Sequence, residues 1–439
     1  MNNKRYRSSF LIVLAIILFP GLVFGGEPLT LEKSIEIALQ NSLVINIARE
    51  GLKGATAQKR EAVTGFLPKF STSYSYRRLN EEPQFQLPFP PGEMTTGTKN
   101  NYNWAIEARQ PIFAGGSILA NYQANQIGED AAFLEEKAKN QDVVQEVKIA
   151  YFDILRAQRI LETARQSVEM LEAHRNTAEN YFKVGMIPKN DLLHAEVELA
   201  NGKQTLIKAQ NSVELAKSRL NTLLKRRIFE PVAVVDILTY KPMKQSLEEC
   251  LSVAQQNRPE LKISELKAKQ AGKLVWVAQS EFFPALNLVG NYTRFGDEAS
   301  VSGSPYQDME SWYVMAVASW NFWEWGKTKF RVDASRAREN QAISSAKELN
   351  DQITLEIKNA YLLLQEAEHQ ITVSEKVIEQ AEENFRISEE RYKERVATTT
   401  EVLDAQTLLT RAKSQYANAL GDYNINYARL QRAMGTIWP

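Results

Sequence analysis

Few residues in the chain have the types and spacing of a catalytic or ligand-binding site. Trp325-Gly326-Lys327-Thr328 has the last residues of a phosphate-binding loop, but the first glycine of such a loop would fall at Asn321. Without that glycine the backbone cannot cradle a phosphate. His174, His194 and His369 stand alone on helical segments, with no second ligand at metal spacing, which favours solvated or packed histidines.

No Ser-His-acid or Cys-His pattern is indicated either, and the many acidic residues lie on amphipathic segments where they are ordinary surface. We therefore predict no catalytic residue, no cofactor and no metal site. The chemistry of this chain has to come from the surfaces that its helices and strands build.

The chain contains a long internal repeat, in which a set of identical residues recurs 216 positions further on. The pairs include Leu31 and Leu247, Glu32 and Glu248, Ala38 and Ala254, Asn41 and Asn257, Phe66 and Phe282, Pro68 and Pro284, Tyr76 and Tyr292, and Arg78 and Arg294. From Gly116, which pairs with Gly326, the offset is 210, so the connection before Gly116 is six residues longer in the first half. The two halves are expected to build one pseudo-symmetric object.

The start of the chain predicts export. Lys4, Arg5 and Arg7 precede the apolar run from Phe10 to Phe19, which is followed by small residues suited to cleavage near Gly25. The run is too short to span a bilayer. Without these three cations the formally neutral chain is negative by about three charges, which argues against a nucleic-acid partner.

The single cysteine, Cys250, excludes an internal disulfide. Its position in the first repeat is occupied by Ser34, so we interpret Cys250 as a small packed residue.

Each repeat reads as a helix, two strands, a long helix and a further helix. From Gly116 to about Gly185 and from Gly326 to about Val396 the chain has no proline, and such rods would be near 100 Å long. We predict a signal peptide at 1–25, repeats at 26–226 and 247–439, and a non-helical connector at 227–246. The β-hairpins are predicted at 68–113 and 284–323, and the helical hairpin tips near 185–190 and 396–400.

Aromatic and polar residues alternate along the predicted strands. Period two, with one apolar and one polar face, is what a strand between lipid and water requires. The residues predicted to face lipid are Tyr74, Tyr76, Tyr102, Trp104, Leu286, Leu288, Tyr292 and Trp312. The strand from Trp312 to Trp320 is less regular, and for the strands alone a soluble sandwich remains the alternative. Four strands cannot close a barrel, and open edges are not tolerated in lipid, so three copies would pool twelve strands.

These segments together resemble the TolC-like family of outer-membrane efflux proteins. The resemblance rests on the entries Phe66 to Pro68 and Phe282 to Pro284, on Pro111 to Gly116, and on the helix starts at 185–195 and 400–406. It implies a mixed membrane protein, with a long antiparallel α-helical coiled-coil barrel plus a transmembrane β-barrel shared by three chains. It further implies an outer-membrane location with a large periplasmic portion.

The resemblance also implies partners and sites. The partners would be a periplasmic adaptor and an inner-membrane pump of the resistance-nodulation-division, ABC or major-facilitator type. The hairpin tips that would dock the adaptor comprise Gly185, Met186, Pro188, Val396, Ala397 and Thr398. The acidic constriction of the family falls on Glu401 and Asp404, with Asp191 in the first hairpin. Two interpretations of these acids remain open: a threefold ring of like charges, or a solvated face in the first helical turn.

We therefore expect a passive trimeric outer-membrane channel-tunnel for efflux or type I-like export. The alternative is a periplasmic adaptor, which also has helical hairpins but would lack aromatic alternating strands. A secreted hydrolase would need a nucleophile or a metal cluster that the sequence does not show.

Overall fold

The computed structural model describes residues 28–437 of the chain, so the predicted signal peptide lies outside the described residues. Helices dominate, with one main sheet. The helices are α1 (Leu31–Asn41), α2 (Leu43–Thr64), α3 (Ser117–Lys183), α4 (Lys189–Leu224), α5 (Leu247–Asn257), α6 (Pro259–Gln279), α7 (Lys327–Lys393) and α8 (Thr399–Ala433). The strands are β1 (Lys69–Arg78), β2 (Gln84–Pro88), β3 (Pro91–Thr95), β4 (Asn100–Ala114), β5 (Ala285–Gly296) and β6 (Glu310–Ser319).

The helix boundaries recur at the offsets found in the sequence. Helices α1 and α5 are both 11 residues long and start 216 positions apart (31 and 247), and α3 and α7 are both 67 residues long and start 210 apart (117 and 327). Both long helices follow a glycine with a left-handed backbone, Gly116 (φ 83°) and Gly326 (φ 81°). Glycine adopts this conformation without the steric cost of a Cβ atom, so the strand-to-helix turn is the same in both halves.

The single helix predicted at the start of each repeat is wrong, because a break divides it in both halves. Ser42 ends α1 with extended backbone, and its side chain caps α2 by accepting a hydrogen bond from the Ile45 backbone N–H. Arg258 makes the equivalent break before Pro259. The residue before a proline is driven away from helical backbone, so the second break had a signal in the sequence.

The main sheet is antiparallel with the strand order β1-β4-β5-β6. Its two hairpins have the same register: Tyr76 lies opposite Tyr102, and their repeat equivalents Tyr292 and Trp312 lie opposite each other. Strands β4 and β5 join the hairpins, so that the two repeats share one continuous sheet. Strands β1 and β6 are its edges, each paired on one side alone among the described residues.

A second, two-stranded sheet extends the first hairpin and was not predicted. Strands β2 and β3 lie within the connection 79–99, whereas the equivalent connection 297–309 has no such pair. Phe85 lies opposite Met94 and Gln86 opposite Glu93, so this hairpin has one apolar and one polar face. Proline at both ends of its turn makes the sequence look like a loop, which is why the strands were missed.

The helices form one layer in the same order as the strands. Helix α3 packs against α2 and α4 on one side and against α6 and α8 on the other, and α7 packs against α6 and α8. The layer therefore runs from α2 with α4, through α3, through α6 with α8, to α7. The layer has four helix positions. Two of them are filled by the continuous helices α3 and α7, and each of the other two is filled by two helices, α2 with α4 and α6 with α8.

The main core lies about halfway along α3, where α1, α5 and the connector 225–246 cover the layer. Apolar residues spaced three and four apart on α3 are buried there, namely Val143, Val144, Val147, Ala150, Tyr151, Ile154 and Leu155. Cys250 and Ser34 are also buried in this region. The Tyr151 hydroxyl lies within hydrogen-bond distance of two backbone carbonyls, Leu29 O at 2.9 Å and Val235 O at 2.8 Å, which share its one hydrogen. This core thickens the layer on one face.

Within residues 28–437, the helices do not have the length and apolar character that crossing a bilayer demands. The same residues contain no cluster of three or more His, Cys, Asp and Glu side chains placed to hold a metal ion.

Candidate functional site

The two helical hairpins turn at tips that expose apolar side chains. At the first tip Gly185 has φ 76°, and the Met186 backbone N–H donates to Tyr181 O at 2.8 Å, which closes the end of α3. Pro188 then caps α4 in extended conformation. The side chains of Val184 and Met186 are largely exposed there.

The second tip has the same path with different residues. Arg395 takes the place of Gly185 and keeps its left-handed backbone (φ 65°). Val396 is exposed, Ala397 follows it, and Thr398 caps α8. The predicted docking residues thus form two equivalent protruding turns at one end of the layer, and their binding of an adaptor stays a prediction.

The three predicted constriction acids lie in different surroundings. Glu401 and Thr398 form a capping box, in which the Glu401 carboxylate accepts from Thr398 N at 3.2 Å and Thr398 Oγ1 accepts from Glu401 N at 3.3 Å. Glu401 Oε2 also lies 3.3 Å from Arg391 Nη1. Asp404 is exposed and forms no ion pair or side-chain hydrogen bond within the described chain, and Asp191 lies in the first turn of α4. The Thr-x-x-Glu spacing is a known capping signal that our sequence reading did not use.

This difference predicts that the two acids of α8 respond differently to mutation. Asp404→Ala should reduce cation preference in planar-bilayer conductance and leave thermal stability unchanged, because its charge is free. Glu401→Ala should lower the free energy of unfolding by about 1 kcal/mol, because it removes half of a capping box. Reversal potentials and thermal melts of both variants give the measurement. If Asp404→Ala leaves the reversal potential unaltered, Asp404 does not line a selective constriction.

The two helical hairpins contact each other between α3 and the start of α8, and we call this contact the seam. It was not predicted from the sequence. Gln406 Nε2 donates to Ser167 O at 2.9 Å, and Thr410 Oγ1 lies 3.2 Å from Ser167 Oγ. Nearer the tips the ring of His174 packs 5.0 Å from that of Tyr392. Patterns within one helix do not reveal which residues of another helix they meet, so no sequence signal indicated this contact.

His174 is buried in this seam and titrates abnormally. Burial lowers its pKa, and the charge of Glu389 on α7 opposes that shift only in part. Tyr181 and Tyr392 are the other titratable groups of the cluster, with Asp191 of α4 close enough to influence Tyr392. The His174 Nε2 atom has no hydrogen-bond partner within the described residues. A protonated imidazole is therefore disfavoured in the packed seam.

Acid is expected to loosen the seam. Above an ordinary histidine pKa of about 6.5 the imidazole is neutral whether packed or exposed, so burial adds no titration penalty. As pH falls below that value the separated seam takes up a proton that the packed seam resists, at a cost of up to about 1.4 kcal/mol per pH unit. Hydrogen exchange in α3 near His174, corrected for intrinsic rates, should therefore be faster at pH 5.5 than at pH 7.5. In His174→Leu the corrected rates should not depend on pH, and an equal dependence in this variant would exclude the histidine as its source.

All eight residues predicted to face lipid share one face of the main sheet. Tyr74 lies opposite Trp104, Tyr76 opposite Tyr102, and Tyr292 opposite Trp312, so the aromatic residues form cross-strand pairs. The Tyr76 and Tyr102 rings stack at 4.6 Å. Leu286 and Leu288 lie on the same face, at the end of β5 that is nearest the helices.

The opposite face of the sheet and its border with the helices differ in composition from the face just described. Ser71, Ser73, Ser75 and Asn103 alternate with the aromatic residues and so lie on the opposite face. Exposed aromatic side chains lie at the border between the sheet and the helices, just before β5 and just after β6. They are Phe282, Phe283, Trp320, Phe322, Trp323 and Trp325. The molecule thus has an apolar sheet face with an aromatic border, continuous with long amphipathic helices.

Comparison with known proteins identifies the class that this architecture defines. The family model described as outer membrane efflux protein matches two segments, residues 34–225 and 250–436. The chain belongs to this outer membrane efflux protein family. It is accordingly an efflux channel protein of the cell outer membrane, with a large periplasmic portion, and the adaptor alternative is not favoured.

Particular relatives are distant in sequence but cover most of the chain. Nodulation protein T of Rhizobium leguminosarum bv. trifolii is 19% identical over 406 residues, which are 92% of this chain and 84% of that protein. Outer membrane protein TolC of Escherichia coli K12 is 20% identical over 346 residues, which are 76% and 69% of the two chains. The solved CmeC outer membrane channel of Campylobacter jejuni has a TM-score of 0.81 at 19% identity, covering 92% of this chain and 85% of its own. The CmeC structure and this chain share the fold.

Proposed function

We propose that this chain is one third of a passive, trimeric channel-tunnel, built from an internal duplication, that conducts exported compounds across the outer membrane. The proposal is supported above all by one asymmetry. Residues that are buried between the two repeats have repeat equivalents that are exposed on the two open edges of the helical layer.

The edge formed by α4 gives the clearest example. Ile425 of α8 is 4% exposed, whereas its equivalent on α4, Leu215, is 73% exposed. Leu403 and Leu193, which are 210 positions apart, differ in the same way, with 7% and 46% of their surfaces exposed. Since α8 packs against α3, α4 is expected to pack against the next α3-like helix in a tube, which is α7 of a neighbouring copy.

The opposite edge supplies the matching surface. Phe152 of α3 is 8% exposed, and its equivalent on α7, Leu362, is 51% exposed. Exposed apolar residues continue along this side of α7. They are Leu355, Val373, Val377 and Ile387. Burying such a stripe against a second copy repeats the contact that already holds the two repeats together.

The strands favour the same assembly and suggest its size. The edge strands β1 and β6 each have ten residues, the length of a tilted membrane-spanning strand, and unpaired edges are not tolerated in lipid. Joining β6 of one copy to β1 of the next removes both edges. Three copies give twelve strands, an even number in the range of barrels with a water-filled lumen. The apolar face of Tyr74 and Trp104 would then face lipid.

The partners follow from relatives. The matched protein of Pseudomonas putida F1 is called a probable efflux pump outer membrane protein, at 20% identity over 95% of this chain. We infer that this chain likewise works with a periplasmic adaptor, docked at the tips of Gly185 and Thr398, and with an inner-membrane pump of the resistance-nodulation-division, ABC or major-facilitator type. Energy would come from that pump, since the proposal assigns the duct no catalytic, cofactor or metal site.

The test is the mass and location of the native protein. Membranes are separated, the protein is extracted in mild detergent, and its mass is measured with the detergent contribution removed. The expected result is a particle of three chains from the outer-membrane fraction that dissociates on heating. A monomer in the soluble periplasmic fraction would contradict the proposal.

A further inference from the structure

The connector 225–246 carries an unusual excess of positive charge. It contains the cations Lys225, Arg226, Arg227, Lys241 and Lys244 and only two acids, Glu230 and Asp236, within a chain that is formally neutral. Both acids are already paired. Glu230 is bound by Arg226, and Asp236 lies 2.5 Å from Arg159 of α3.

Four cations therefore remain in this segment. Lys225, Arg227, Lys241 and Lys244 are exposed, and none of them pairs with an acid in the part of the chain that the structure describes. Phe229 stands among them with 91% of its surface exposed. We call these five residues the basic belt. A solvated aromatic ring beside uncompensated charge marks an interaction surface, because such a ring is normally covered.

The connector crosses one face of the helical layer at mid-height. Val235 O accepts from Tyr151 of α3, Lys241 O accepts from Tyr423 of α8 at 2.6 Å, and Tyr240 binds Glu368 of α7. In a closed tube this face must be the outer one, since three connectors on the inner side would fill the bore. Tyr151 is 34 residues beyond Ser117, so the belt encircles the tunnel about 50 Å from the sheet.

We propose that the basic belt binds the peptidoglycan of the cell wall, through the carboxylates of its stem peptides and the sugar rings of its glycan strands. This inference rests on the proposed function, which places the outer surface of the tunnel in the periplasm. The cell wall is the extended polyanion of that compartment. Lys241 and Lys244 lie in the part of the connector that crosses α8 and α7 and would give six cations per trimer, whereas Lys225 and Arg227 follow directly on α4, the edge that meets the neighbouring copy in the proposed assembly. Phe229 provides an apolar ring for stacking on a sugar, while the cations select a carboxylate-rich partner.

The experiment is co-sedimentation of the detergent-solubilised full-length trimer with purified peptidoglycan sacculi. The belt variant carries Lys225→Gln, Arg227→Gln, Lys241→Gln, Lys244→Gln and Phe229→Ala. The matched control carries four substitutions that remove the same charge from exposed, unpaired helix positions of the described chain: Lys137→Gln, Arg165→Gln, Lys208→Gln and Lys269→Gln.

We expect the parent protein and the control to pellet with sacculi, and the belt variant to bind about tenfold more weakly at physiological ionic strength. The parent protein should also fail to pellet with sacculi whose carboxylates have been converted to amides. Equal pelleting of parent and belt variant overturns the inference. So does a belt-dependent cross-link to an acidic protein without any binding to sacculi. Only protein that elutes as a trimer is assayed, so a trimer that ignores sacculi refutes this inference and leaves the channel-tunnel intact.

Discussion

Trp104→Arg is expected to abolish assembly in the outer membrane. Trp104 of β4 lies opposite Tyr74, which is near the middle of β1, and its ring packs 6.4 Å from that of Tyr292. In the proposed barrel this position faces lipid, where an arginine near the bilayer midplane costs about 2–4 kcal/mol. Three copies in one barrel raise the cost to roughly 6–12 kcal/mol, which is comparable to the whole stability of a typical domain. Heat-labile trimers in outer-membrane fractions, followed by electrophoresis without boiling, give the measurement.

The matched control is Ser75→Arg, on the neighbouring strand β1. Ser75 lies opposite Asn103 on the polar face and its side chain is exposed, so the added charge would meet water. This variant should form trimers in normal yield. Equal loss in both variants would point to a general folding defect, and equal tolerance would mean that the aromatic face does not contact lipid.

The second large effect is expected at the helical edges. Leu215→Glu on α4 and Leu362→Glu on α7 should each leave the protein monomeric, although the two residues lie on opposite edges of one chain. Both side chains are at least half exposed in the single chain, so neither substitution disturbs its buried core. In the trimer each leucine contributes about 1.5–3 kcal/mol of burial at every one of three interfaces, and a buried carboxylate adds a desolvation cost.

Thr354→Glu serves as the control, because Thr354 is exposed on α7 but lies roughly 100° around the helix from Leu355. Its trimers should form normally. Mass measurement in mild detergent and circular dichroism distinguish dissociation from unfolding. Helical monomers from both leucine variants support the edge-to-edge assembly, whereas a trimer from either variant excludes that leucine from the interface.

Much of the fold follows from local sequence. The long helices were predictable because they lack proline, and the strands because aromatic and polar residues alternate around Tyr74 and Trp104. The break at Ser42 has no proline to mark it and was missed, whereas Pro259 did mark the break at Arg258 and was not used. The β2–β3 hairpin was missed because its prolines suggest a loop.

The sites were less predictable for a physical reason. Charge and type identified Glu401, but only its geometry shows that the carboxylate is held by its own helix terminus. His174 was predicted to be solvated or packed, and the sequence did not decide between these because its partner Tyr392 lies on α7, more than 200 residues away. The edge residue Leu215 acquires its meaning only when its exposure is compared with that of Ile425. Contacts across the layer are properties of the tertiary structure.

In the helical layer the continuous helices α3 and α7 alternate with positions that two helices share, and this alternation has a mechanical consequence. The main core holds α3 and α7 near their midpoints. At the same level lie the junctions between α2 and α4 and between α6 and α8. Beyond this core, away from the sheet, the two hairpins continue as arms joined by the seam at Ser167 and His174, with about 32 residues of α3 between Tyr151 and Lys183, or about 48 Å. Rotating such an arm by about 6° at the main core displaces the free end by about 5 Å. A small angular change at the main core would therefore widen the far end of the tunnel while the sheet, on the other side of this core, stays still.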